Sequence, residues 1–150
     1  MAGLARFMLR NSDGRCVVCV VAYSWGAGVG FIEFARHAEV LGITIVVAVL
    51  ADPVYRSRLL PAWLPLNPRS VMLWSRPVIW VPASVRNVRW VRQTGTRPSG
   101  HDLRAEDETF THVETAIVSP LSHARIDEGR DFRTLALGAV DEFSSLRGGQ

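Results

Sequence analysis

The sequence predicts an α/β domain with a parallel sheet of about four strands flanked by helices, and three observations predict it. Residues 15–23 and 43–50 are Val- and Ile-rich runs that are apolar on both faces, as in the middle strands of a parallel sheet. Between them, residues 25–41 carry apolar residues at helical spacing opposite a charged face. Strand, helix, strand in this order is a right-handed βαβ unit. At 150 residues the chain makes one domain, 1–150, with room for a core of its own.

In chain order, residues 2–10 read as a short helix with Leu4, Phe7 and Met8 on one stripe, closed by the turn cluster Asn11-Ser12-Asp13-Gly14. Residues 15–23 are the first strand. In the helix 25–41, Val29, Ile32, Phe34, Ala35, Ala38 and Leu41 form the buried face, and Glu33, Arg36, His37 and Glu39 the solvated one. Gly28 and Gly30 suit close packing against the sheet, and Gly42 caps the end. The second strand, 43–50, ends at Ala51-Asp52-Pro53. Residues 54–86 contain prolines at 61, 65, 68, 77 and 82 among many apolar residues, which predicts a cap or lid without long elements. Residues 88–93 alternate as a third strand, 94–107 are loop, and 110–118 are the fourth strand. The last helix covers 130–146, with Phe132, Leu135, Leu137, Val140 and Phe143 inward.

Composition narrows the function classes. No run reaches the ~18 apolar residues of a membrane span, so no integral membrane segment is expected. The first ten residues are too short and too charged for a secretory signal, which predicts a cytoplasmic protein. The net charge of +3 comes from scattered arginines without interleaved aromatics, so no nucleic-acid partner is expected. Cys16 and Cys19 form C-x-x-C, but within a strand they face opposite sides and read as small buried hydrophobes. No metal or other cofactor is expected, and His37 has no assigned role.

The chemistry concentrates at the ends of strands. Ala22-Tyr23-Ser24-Trp25-Gly26 follows the first strand and opens the helix, with small residues two before and two after a serine. A buried βα turn would also need small residues there. Asp52-Pro53 ends the second strand, where Asp52 could equally be a turn residue or an N-cap. His123 follows the fourth strand and precedes the last helix. Ligand and catalytic groups in such sheets gather beyond the carboxyl ends of the strands.

The stretch around Ser24 resembles the nucleophile elbow of the α/β-hydrolases, G-x-S-x-G, with alanine for the first glycine. Asp52 is similar to the acid of the pancreatic-lipase-like branch, which stands in an Asp-Pro pair directly after the strand behind the nucleophile helix. His123 stands where the family keeps its histidine, and the order Ser, Asp, His is the family's. The resemblance implies a serine esterase or lipase-like enzyme: Ser24 as nucleophile, His123 as general base, Asp52 as orienting acid, and the backbone N–H of Trp25 as an oxyanion donor. Most branches place the acid one strand later, which keeps Asp102 as the reserve acid. The apolar cap points to a small apolar ester or acyl substrate.

The resemblance covers roughly residues 2–52 and 110–146 and looks like the C-terminal half of the family's sheet of about eight strands. The strands before the nucleophile and the loop that gives the second oxyanion N–H have no counterpart. A missing donor costs on the order of 10²–10³ in rate. The missing strands would also leave the edge of the first strand open for a homodimer. Two other readings stand beside the hydrolase. One is an inert binding or interaction domain of the same fold. The other is a nucleotide-binding domain built on Gly26-Ala27-Gly28-Val29-Gly30, although the dinucleotide fingerprint needs glycine at Phe31.

Overall fold

The computed structural model describes residues 5–12, 15–54, 78–93 and 100–145. The main sheet contains β1 (Ala5–Ser12), β2 (Arg15–Tyr23), β3 (Thr44–Ala51), β5 (Val85–Arg92), β7 (His112–Val113) and β8 (Ile117–Val118). Its order is β1-β2-β3-β5-β7, with β8 also paired to β5. All pairings from β2 to β8 are parallel, and β1 alone is antiparallel. A small second sheet pairs β4 (Val78–Val81) with β6 (Asp102–Ala105) in parallel. The architecture is therefore the small, mostly parallel α/β fold that the sequence predicts.

Two helices cover the two faces. On one side α1 (Phe31–Val40) brings Phe31, Ala35 and Ala38 against Val18, Val20 and Ala22 of β2 and Ala48 and Leu50 of β3. On the other, α2 (Arg130–Ser145) brings Phe132, Ala139 and Phe143 against Cys19, Val47, Val49, Ala51 and Val91. The faces alternate along each strand as the pleat requires. Ile45 shares the α1 face with Ala48, three residues on, because the β2–β3 register skips Val46. Cys16 packs on the α1 side, Cys19 lies on the α2 side, and both are free thiols.

Four expectations change. The first is the helix over 2–10, whose residues 5–10 lie in β1. Ser12 pairs with Arg15, three positions on, so β1 and β2 are consecutive strands with Asp13-Gly14 between them in the sequence. An Asp-Gly pair between strands is a hairpin signal, and pairing with β2 overrides the helical spacing of the apolar residues. As a result β1 covers the edge of β2 that was expected to be open to a second copy. The second change is the strand over 110–118, which is two short strands, β7 and β8, separated by residues 114–116.

Third, the loop over 94–107 contains β6, and the irregular stretch 54–86 contains β4 and the start of β5. Residues 55–77, most of the expected cap, lie outside the described residues. Fourth, the helix over 25–41 opens as a π-helical turn, Gly26–Gly30, before α1. Leu41, just past the end of α1, is exposed, as is Leu137 midway along α2, so neither serves the core. Among the described residues, no helix is long and apolar enough to cross a membrane.

The topology sets up one functional rim. Tyr23, Ala51, Val91 and Ile117 stand side by side across β2, β3, β5 and β8. The chain leaves all four parallel strands at the same end. Ser24, Asp52, Gln93 and, a few residues beyond β8, His123 follow from those strands.

Candidate active site

Ser24 sits at a strained turn. Its φ is +55°, and Asp52 has φ +41°; among the described residues these are the two non-glycine residues with positive φ. Such backbone costs on the order of 1–3 kcal/mol and persists only where the surroundings hold it. Here the surroundings are specific. The Ser24 N–H donates to the Ala51 carbonyl at 2.9 Å, and the Ser24 carbonyl accepts from the N–H groups of Gly28 and Val54, each at 3.0 Å. Asp52 is fixed in turn by its N–H donating to the Val91 carbonyl at 2.7 Å.

The glycine expected to pack closely does so at one point. A β-carbon on Gly28 would lie 2.0 Å from the Val54 carbonyl oxygen, so glycine lets the π-helical turn rest directly on the chain leaving β3. Gly30 has no such constraint, its β-carbon finding nothing nearer than 3.7 Å.

Three side chains then meet across the rim. Ser24 Oγ is 2.8 Å from His123 Nε2. His123 Nδ1 is 2.5 Å from Asp52 Oδ2. A carboxylate only accepts, so Nδ1 carries the proton and donates to Asp52. That tautomer leaves Nε2 as the acceptor for the Ser24 hydroxyl. A hydroxyl bonded to a neutral imidazole, itself held by a buried carboxylate, can lose its proton to the ring as it attacks an electrophile.

The carboxylate is wholly buried, with Asp52 at 0% exposure. Its other donors are the Gly100 N–H on Oδ1 at 2.9 Å, the Gln93 N–H on Oδ1 at 3.3 Å and Gln93 Nε2 on Oδ2 at 3.3 Å. A carboxylate taken out of water without such partners would be strongly destabilising. The donors also turn Oδ2 toward His123. Asp102 goes elsewhere: it pairs with Arg92, at the end of β5, and does not reach His123.

His123 opens a 3₁₀ segment, His123–Glu128, that leads to α2. Tyr23, the residue before Ser24, donates its hydroxyl to the His123 carbonyl at 2.6 Å, and its ring lies 5.3 Å from the imidazole, tilted by 35°. His101, whose backbone N–H donates to the Pro53 carbonyl at 2.7 Å, is 1% exposed, with neither ring nitrogen bonded to a partner. Burial pushes its pKa below the usual imidazole range, against the opposing pull of Asp52 and Asp102.

Trp25 is 45% exposed directly beside Ser24. Two clefts, of about 480 and 470 Å³, lie along β6, β7 and β8 and are lined by neither Ser24 nor His123. No group of three His, Cys, Asp or Glu side chains among the described residues is placed to hold a metal ion.

The structure thus brings together Ser24, Asp52 and His123 and separates Asp102 from them. Sequence reading missed Tyr23, Gln93 and Gly100 as members of the site. Gln93 did carry a signal, since it closes the predicted third strand on the same rim as Asp52. No protein-family model, curated protein or solved structure matches the chain.

Proposed function

We propose that this protein is a serine hydrolase of the α/β-hydrolase type that cleaves a carboxylic ester. The observation that carries the reading is the continuous relay Ser24 Oγ, His123 Nε2, His123 Nδ1, Asp52 Oδ2, with contacts of 2.8 and 2.5 Å. In the first step Ser24 Oγ attacks the ester carbonyl carbon while its proton passes to His123 Nε2. Asp52 stabilises the imidazolium that forms. The tetrahedral oxyanion is met by the Trp25 backbone N–H. As the intermediate collapses, the imidazolium gives its proton to the leaving alkoxide, and an acyl-Ser24 ester remains. Water, deprotonated by His123, then hydrolyses that ester and restores Ser24.

The exposed Trp25 ring beside Ser24 favours an apolar acyl or alcohol group in the substrate. The reading is tested by turnover of p-nitrophenyl esters of increasing acyl length, with Ser24→Ala alongside. Turnover by the natural chain that is lost in Ser24→Ala is the expected result. Folded protein that turns over none of the series would favour the inert binding domain, and a Ser24→Ala variant as active as the natural chain would overturn Ser24 as the nucleophile.

A further inference from the structure

His123 must present two nitrogens to two partners at once. It does so from a 3₁₀ segment whose preceding residue, Ser122, makes no side-chain cap. A short segment without a cap is a loose support for a ring that has to point within a few tenths of an ångström. The support comes from across the fold. Tyr23 ends β2, in the same row as Ala51, so its Cα is fixed by the sheet. From there its hydroxyl reaches the His123 backbone at 2.6 Å, across 100 residues of sequence, while its ring packs against the imidazole.

We propose that Tyr23 is a positioning residue: its hydroxyl on the His123 carbonyl and its ring against the imidazole hold His123 in line between Ser24 and Asp52. The inference rests on the hydrolase reading for its effect on turnover, but not for its effect on the ring. Tyr23 suits the task because it stays a donor. Burial, with smaller contributions from Asp127 and Asp52, pushes its phenol pKa above the ordinary value, so the O–H persists throughout the neutral and mildly alkaline range. It also joins the elbow to the histidine segment directly, since Tyr23 and Ser24 are consecutive. A shift of one is therefore transmitted to the other.

The test uses the whole chain and two variants. Tyr23→Phe keeps the ring and removes the hydroxyl, and Tyr23→Leu removes both. Two properties are measured: kcat and KM on the best p-nitrophenyl ester, and the proton NMR signal of the His123 Nδ1–H, assigned with His123→Ala. In Tyr23→Phe, kcat is expected to fall about tenfold, the equivalent of one hydrogen bond of ordinary strength, with KM within about twofold. The Nδ1–H signal should move or broaden while the amide spectrum keeps its dispersion. Tyr23→Leu should lose more of both. If it fails to fold, Tyr23→Phe alone decides. A Tyr23→Phe variant with natural kcat and an unchanged Nδ1–H signal would overturn the proposal. If the natural chain hydrolyses no ester yet the signal responds to Tyr23→Phe, the positioning role stands and the hydrolase reading falls.

Discussion

Gly100 and Asp52 approach so closely that no side chain fits between them: a β-carbon on Gly100 would stand 2.3 Å from Asp52 Oδ1 and 3.1 Å from the Asp52 carbonyl carbon. The closeness is what allows the Gly100 N–H to bond the carboxylate at 2.9 Å. Gly100→Ala must displace either the carboxylate or the 100–102 backbone. The expected cost is about 1–3 kcal/mol in stability, as for other overpacked sites. Ester turnover should fall at least roughly tenfold, because Oδ2 leaves His123. Urea unfolding and kcat on one ester check both.

The two aspartates near the rim separate cleanly by substitution. Asp52→Asn keeps the shape but lets His123 take the wrong tautomer, and should lower kcat by on the order of 10⁴. Asp102→Asn breaks only the pair with Arg92 and should leave kcat within a few-fold. Comparable losses in both variants would contradict the assignment of Asp52.

Gly28 faces backbone rather than a side chain, and backbone cannot swing aside. Gly28→Ala puts a methyl 2.0 Å from the Val54 carbonyl oxygen, which shares the elbow with Ser24 through the Val54 N–H. The variant should lose about 1–3 kcal/mol or more. Gly30→Ala, with 3.7 Å of clearance at a helical φ of −63°, should be neutral or slightly stabilising. Thermal melts of the two variants make the comparison.

Three of the site residues were legible because residue type and position agree. A serine flanked by small residues, an aspartate and a histidine each follow a strand, and parallel strands end on one rim. The supporting residues had no such agreement. Gln93 and Gly100 meet Asp52 across 41 and 48 residues of sequence, and Tyr23 meets His123 across 100, so apart from the place of Gln93 at a strand end no local pattern marks these contacts. The fold was legible where strands are buried on both faces. It was not legible at β1, where the apolar residues Leu4, Phe7 and Met8 mimic helical spacing and only Asp13-Gly14 announces a hairpin. At β7 and β8 the β-branched residues from Thr111 to Val118 read as one strand and conceal the break at residues 114–116.

His101 makes stability depend on pH in a definite direction. Its folded pKa is lowered by burial, so the unfolded chain takes up the proton more readily than the fold does. Its contribution is intact above the unfolded pKa of about 6.5 and is lost as pH falls from there toward the lower folded value. His101→Phe, of similar size and without buried unpaired nitrogens, should remove this part of the acid sensitivity. Urea unfolding at pH 7.5 and 5.5 should show a smaller loss of stability in the variant than in the natural chain. An equal loss would place the acid sensitivity elsewhere.

The most direct test of the central claim is covalent labelling of the folded protein by a fluorophosphonate probe, with the adduct located by mass spectrometry. Such a probe reacts with a serine hydroxyl that a neighbouring base activates. The relay predicts one adduct on Ser24, absent in Ser24→Ala and greatly slowed in His123→Ala. A folded natural chain that takes up no probe, or takes it up as fast without His123, would contradict the claim that Ser24 is an activated nucleophile.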